Sequence, residues 1–326
     1  MKLRLLQIGS RIISKYMPLW IMFCALVAFL FPVFFFPIQG FTEIGLGIIF
    51  LLMGLSLSAE KLFTIIRKPK NVLIGVALKW SIMVTVTVGI AFLFFRHSEE
   101  LATGIILAGT VPSGTSANVY TFIAGGEAAL SLTMATLDTF ISPILTPYLV
   151  QSFAGKLIHI AFWPMFFNIL YVVFLPLILG LVIQWKFTNQ VEAIRPHTPI
   201  LSQLSLFVIV LSVVSSAQES LSSNLSILPI LFLAVFLQVF IPMVSGYWIA
   251  RWLKMERPNA IAILFHTGIC NSALAATLAM EHISSLSAVP AVANMVMNLT
   301  LGAIAANFFS HRVRLQEQEE NRIRTN

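Results

Sequence analysis

The chain has 326 residues, 58% of them hydrophobic and 10% charged, with a formal net charge of +7. Water-soluble domains carry roughly 25% charged residues, so this composition excludes a soluble globular domain and calls for a polytopic protein embedded in a lipid bilayer. The basic excess lies in short segments between apolar runs instead of along one amphipathic face, which fits membrane topology and excludes a nucleic-acid partner.

The basic start, MKLRLLQIGSRIISK, passes straight into a full-length apolar run, so no cleavable signal peptide is expected. Runs able to cross a bilayer as helices occur at 18–36, 40–58, 71–95, 101–124, 128–152, 161–184, 200–217, 227–250, 258–281 and 286–309. With a cytoplasmic N-terminus, seventeen Lys and Arg fall in inside segments and two, Arg96 and Lys156, in outside loops. That asymmetry predicts both termini in the cytoplasm and an even number of spans. The PVFFFP run at 32–37 and the tryptophans at span ends read as interfacial anchors. Cys24 and Cys270 both fall in apolar runs, which argues against a disulfide framework. The charged tail, 311–326, is expected to be a solvated cytoplasmic end without chemistry of its own.

The fourth run contains GTVPSGTSANVYTFIAGG, a polar, Gly- and Pro-broken stretch where a continuous helix would otherwise be required. The ninth run contains a second such stretch, HTGICNSALA. An unsatisfied backbone group in hydrocarbon costs several kcal/mol, so such breaks survive only where protein or a water-filled cavity surrounds them. Pro112 removes a donor and Gly114 tolerates unusual torsions, which predicts that the helix stops and restarts. A restarted half-helix offers free N–H groups and a positive dipole end to an anion. Close packing of small residues is the plainer explanation of one such segment, but two at matching positions favour a binding site. The breaks divide the chain into 1–154 and 155–310, five runs each, followed by the tail 311–326. Two repeats with an odd number of spans must lie in opposite orientations, the inverted-repeat plan of many secondary transporters.

Ionisable residues inside spans are costly and point to function. Lys79, Asp138 and His266 lie in the third, fifth and ninth runs, and counting at 1.5 Å per residue puts all three about 12–15 Å deep. They can therefore meet. A structural Lys79–Asp138 salt bridge and a transport role are both compatible with that placement. Asn294 and Asn298, one helical turn apart in the tenth run, are expected on one face, and Glu43 near the outer start of the second run is expected to face the interface. No GxSxG, HExxH, Walker A or CxxC motif is present, and no enzyme activity or cofactor is expected.

PSGTSANVYTFIAGG, the following ALSLTMATLDTFISPILTP, and GICNSALAATLA resemble the bile acid:sodium symporter family, and the resemblance extends over nearly the whole chain. It is similar to the bacterial branch associated with pantoate, ketopantoate and related small carboxylates. The resemblance implies an all-α protein of ten transmembrane helices. Spans one, two, six and seven would form a panel domain, and the rest a core domain in which the broken helices cross. It implies substrate contacts at Thr115, Ser116, Asn271, Ser272 and Asn298. A first sodium site would use Asn118 and Ser131, with Ala135 at the family's threonine position. At the second, His266, Cys270 and Lys79 occupy the positions of a glutamate and two glutamines. Lys79, Asn118, Ser131, Asp138, His266 and Cys270 thus form the expected coupling region, with only Asn118 and Ser131 as residual metal ligands. The expectation is a secondary transporter of a small organic anion in a bacterial inner membrane, with altered or absent sodium coupling. A membrane substrate sensor or scaffold with the same fold is the alternative.

Overall fold

The computed structural model describes residues 16–56, 69–158, 160–194, 197–223 and 225–324. Many of the basic residues behind the expected orientation, including Lys61, Arg67, Lys68 and Arg195, lie outside them. The described chain is helical: α1 (Met17–Leu30), α2 (Thr42–Ser56), α3 (Pro69–Leu78), α4 (Val84–Phe95), α5 (Glu99–Gly109), α6 (Thr115–Ile123), α7 (Ala128–Ala154) and α8 (Phe162–Ile169). There follow α9 (Leu175–Lys186), α10 (Thr188–Ile194), α11 (Thr198–Ser222), α12 (Leu228–Trp252), α13 (Arg257–Gly268), α14 (Ser272–His282) and α15 (Ser285–Arg324). A π turn, Lys79–Met83, joins α3 to α4, and another, Leu170–Phe174, joins α8 to α9. Among the described residues, six continuous helical stretches of 23–28 residues are long and apolar enough to cross a membrane.

The first run differs from its expected form. The chain bends by 106° between α1 and the 3₁₀ stretch that begins at Pro32 instead of continuing as one straight helix. The Phe31 N–H makes the last α-type bond, to Val27 O at 2.9 Å, and Pro32 has no N–H with which to add the next. Phe31, Val33, Phe34 and Phe36 are left on the outside. The tail continues the backbone of α15 without interruption to Arg324.

Two packing groups emerge. In one, α2 packs against α9 and α11, and α11 also covers α1. Gly54 and Gly180 let α2 and α9 touch backbone to backbone: a β-carbon on Gly54 would collide with the Leu177 carbonyl, and one on Gly180 with the Leu51 carbonyl. The other group is built on α4–α5, α12–α13, α14–α15 and α6 with α7, α13 and α15. The groups meet where α11 and α1 lie on α15 and where α14 touches α2 and α11.

Candidate functional site

Each break is a short unwound segment between half-helices, and the two segments cross. Ser113 and Cys270 pair as an antiparallel bridge. The Gly114 N–H donates to Ile269 O at 3.0 Å, and the Asn271 N–H to Pro112 O at 2.8 Å. Each break thus satisfies part of the other's backbone, which meets the demand that buried peptide groups be paired. Gly114 has ordinary extended torsions, φ −79° and ψ 150°, contrary to the conformational role its type suggests. Its requirement is closeness, since a β-carbon there would sit 2.7 Å from the Cys270 carbonyl oxygen.

Side chains from neighbouring helices complete the first break. Lys79, at the start of the first π turn and 1% exposed, donates from Nζ to the Val111 carbonyl and lies 3.3 Å from the centre of the Trp80 ring. Asp138, fully buried on α7, accepts from the Ser113 N–H at 3.1 Å and from Trp80 Nε1 at 2.8 Å. The Lys79–Asp138 salt bridge, one of the two possibilities left open by the sequence, is not formed among the described residues. Lys79 instead takes the carbonyl left over by the helix break, while Asp138 takes the leftover N–H, because those backbone groups have no helical partners. His266 Nε2 approaches Asp138 Oδ2 to 3.4 Å, but the contact lacks hydrogen-bond alignment, and neither ring nitrogen has a hydrogen-bond partner among the described residues. The three intramembrane ionisable residues are therefore gathered around the first break, with Asp138 between a backbone amide and an imidazole.

A second cluster lies under the other break. Ser272 Oγ donates to Asn294 Oδ1 at 2.7 Å, and Cys270 Sγ donates to the same oxygen at 3.0 Å. Asn298 Nδ2 donates to Ser272 Oγ at 2.9 Å and to Cys270 O at 3.0 Å. Asn294 Nδ2 reaches Gln238 Oε1 at 3.1 Å, and Gln238 Nε2 reaches Ile105 O at 2.9 Å and Thr87 Oγ1 at 3.1 Å. Asn294 and Asn298 do share a face of their helix. Gln238 is absent from the set expected from sequence, although an amide inside the apolar run LFLAVFLQVFIP is the kind of signal that could have found it. Trp80 escapes a sequence reading because its ring reads as apolar, while the break uses only its indole N–H.

The expected substrate residues divide by accessibility. Thr115 is exposed, Ser116 and Asn271 are half-buried, and Ser272 and Asn298 are buried within the amide cluster. The α6 N-terminus, at Gly114, has no side-chain cap, whereas Asn271 caps α14 by accepting from the Leu274 N–H at 3.1 Å. The Asn271 side-chain oxygen is thus engaged with the backbone of α14. The α6 N–H groups, the hydroxyls of Thr115 and Ser116 and the Asn271 amide are donors of the kind that suits an anion.

The ion-site residues separate as well. Asn118 Oδ1 accepts from Ser131 Oγ at 2.7 Å, and Thr121 Oγ1 lies 3.2 Å from Ser131 Oγ, so α6 and α7 share a small all-oxygen cluster. Such a donor set suits sodium, a hard cation that prefers oxygen. The residues around Lys79 do not fit that ion: an ammonium occupies the Val111 carbonyl, and His266 and Cys270 offer nitrogen and sulfur.

Apolar membrane-length helices enclosing a crossed pair of unwound segments, with polar and charged groups converging on the crossing, define a membrane transporter. Comparison with known proteins places it more narrowly. The chain belongs to the sodium bile acid symporter family, whose model matches residues 43–224. It is 36% identical over 300 residues to the uncharacterized sodium-dependent transporter YocS of Bacillus subtilis (strain 168), covering 92% of each chain. It is 28% identical over 308 residues to the probable sodium/metabolite cotransporter BASS1, chloroplastic, of Oryza sativa subsp. japonica, covering 94% of this chain and 74% of that protein. The counterpart in Arabidopsis thaliana is 27% identical over 300 residues, 91% of this chain and 74% of that protein. Membership of a transporter family agrees with the lack of enzyme motifs in the sequence.

Proposed function

We propose that this protein carries a small organic anion of the pantoate or ketopantoate type across a bacterial inner membrane by alternating access. The single observation that supports this reading is the crossing of α5–α6 with α13–α14, two half-helix starts joined by a backbone bridge, one of them, at α6, without a side-chain cap. Thr115, Ser116 and Asn271 hold the carboxylate, with Ser272 and Asn298 beneath them. The ten apolar runs act as ten spans in two inverted five-span repeats, and the two packing groups are the panel and the core that move against each other.

Lys79 is proposed as a built-in substitute for a transported cation. Its ammonium rests on the carbonyl at the end of the first break and so brings the positive charge that a metal would otherwise bring. The relatives named as sodium-dependent point to sodium coupling in the family. In this chain the coupling is altered: the Asn118–Ser131 cluster is left as the single candidate sodium position, and the Lys79 position needs no ion. Counterflow and uphill uptake of radiolabelled pantoate and other small carboxylates into proteoliposomes, with sodium replaced by choline, tests both parts. Accumulation of intact label distinguishes a transporter from a sensor, which binds without accumulating. The parent is expected to need fewer sodium ions per solute than a Lys79→Gln variant. A parent and variant with the same steep sodium dependence would refute the role of Lys79.

A further inference from the structure

Two opposite charges buried in one apolar interior attract each other strongly, because little water is there to screen them. Lys79 and Asp138 nevertheless hold different backbone groups on either side of Pro112, the ammonium on Val111 O and the carboxylate on the Ser113 N–H. One indole lies against both. Lys79 Nζ sits over the Trp80 ring, 3.3 Å from its centre, and Trp80 Nε1 donates to Asp138 Oδ1 at 2.8 Å. An aromatic ring is negative on its faces and positive at its edge, so an indole can serve a cation on its face and an anion at its N–H together. All three residues are buried, so solvent does not do this in its place. Lys79 and Trp80 are neighbours in sequence, and on a regular α-helix neighbours point about 100° apart at 3.6 residues per turn. Here they open the π turn Lys79–Met83, whose wider winding narrows that angle and lets adjacent side chains serve one site.

We propose that Trp80 is a positioning residue whose indole stands between Lys79 and Asp138 and keeps them from closing into a salt bridge. Paired with each other, the two ions would release Val111 O and the Ser113 N–H, the carbonyl and the amide that the first break leaves without helical partners. Held apart, they clamp the unwound segment at both ends, positive charge on the carbonyl and negative charge on the amide. An aliphatic side chain at this position would fill space but bind neither ion. His266 offers no replacement, since its 3.4 Å approach to Asp138 Oδ2 lacks hydrogen-bond alignment. The same separation keeps the ammonium where the proposed function needs a fixed positive charge. For that consequence in transport the inference rests on the proposed reading of Lys79, whereas the separation of the charges stands on the geometry of the indole.

Two substitutions separate the ring from its bulk: Trp80→Phe keeps an aromatic face for Lys79, and Trp80→Leu keeps apolar volume alone. The first readout is the sodium dependence of radiolabelled pantoate uptake into proteoliposomes, with choline as the replacement cation. Trp80→Leu, although it retains Lys79, should take on the steeper sodium dependence of Lys79→Gln, because its ammonium has left Val111 O for Asp138. Trp80→Phe should keep the shallower dependence of the parent. A purely structural role would lower the melting temperature of both Trp80 variants and leave their sodium dependence at that of the parent, which would overturn the proposal. The second readout needs neither transport nor a stable Trp80→Leu protein. The fluorescence of Trp80, taken as the difference between a protein and its Trp80→Phe form, should shift when Lys79→Gln takes the charge off the ring face. A difference spectrum that Lys79→Gln does not move would overturn the proposal on its own. If the spectrum moves while the parent and Lys79→Gln share one sodium dependence, the separation of charges is supported and the reading of Lys79 as a substitute cation is removed.

Discussion

Replacing Asp138 by Asn preserves shape and reverses the polarity of one atom at a position where both oxygens face donors. Oδ1 receives the Trp80 indole N–H at 2.8 Å and Oδ2 the Ser113 backbone N–H at 3.1 Å. Whichever oxygen becomes an NH₂ group, one hydrogen bond is lost and two donors are left facing each other in a fully buried site. The lost bond is of the charged type, worth about 1.5–3 kcal/mol, and an unmatched buried donor costs about 1–3 kcal/mol more. The expected destabilisation is roughly 3–5 kcal/mol, because the Ser113 end also fixes the unwound segment that crosses Cys270. At about 2 °C per kcal/mol for a larger chain, the apparent Tm in detergent should fall by roughly 6–10 °C, and solute binding should weaken in parallel. Thermal unfolding of the parent and the Asp138→Asn variant, each with and without a bound carboxylate, measures both effects. A variant that melts and binds like the parent would show that the carboxylate does not hold the first break, and that Ser113 and Trp80 are fixed by something else.

Asn271→Ala removes the α14 cap and is expected to cost about 1 kcal/mol in stability, together with a larger loss of anion affinity that a separate binding titration resolves; unchanged affinity would remove Asn271 from the site. Gly54→Val should force α2 away from the Leu177 carbonyl and destabilise the α2–α9 contact by about 1–3 kcal/mol, seen as a lower melting temperature, whereas Gly89→Ala, which meets no atom within 4 Å, should be tolerated. In a cysteine-free background, Ser222→Cys and Asn189→Cys, both at exposed positions, should label from opposite sides of sealed vesicles with an impermeant reagent; same-sided labelling would overturn the ten-span inverted topology.

The breaks are legible in the sequence because Pro112, Gly114, Gly268 and Asn271 are conspicuous in apolar surroundings, and a break in hydrocarbon has few physical explanations. That Lys79, Asp138 and His266 can meet is readable from their depth alone. Their partners are not. A depth count cannot know that Val111 O and Ser113 N are the groups orphaned by the break, so it leaves a pairing of the two opposite charges open where the structure pairs each with backbone. The bend after α1 escapes for a related reason: hydropathy is blind to Pro32, since a run of Phe and Val remains apolar whether or not it remains one helix. Gln238 is easily overlooked because an isolated amide carries no charge, yet its effect on Asn294 and Ser272 depends only on which end donates.

The two backbone hydrogen bonds between the breaks act as a rivet. Separating Gly114 N from Ile269 O and Asn271 N from Pro112 O would strand four peptide groups in a dry interior, at about 1–3 kcal/mol each. Few solutes of modest affinity could drive such a step, since a micromolar ligand supplies only about 8 kcal/mol in all. The half-helices on either side of the crossing are therefore tied together, so that any displacement of one break carries the other with it.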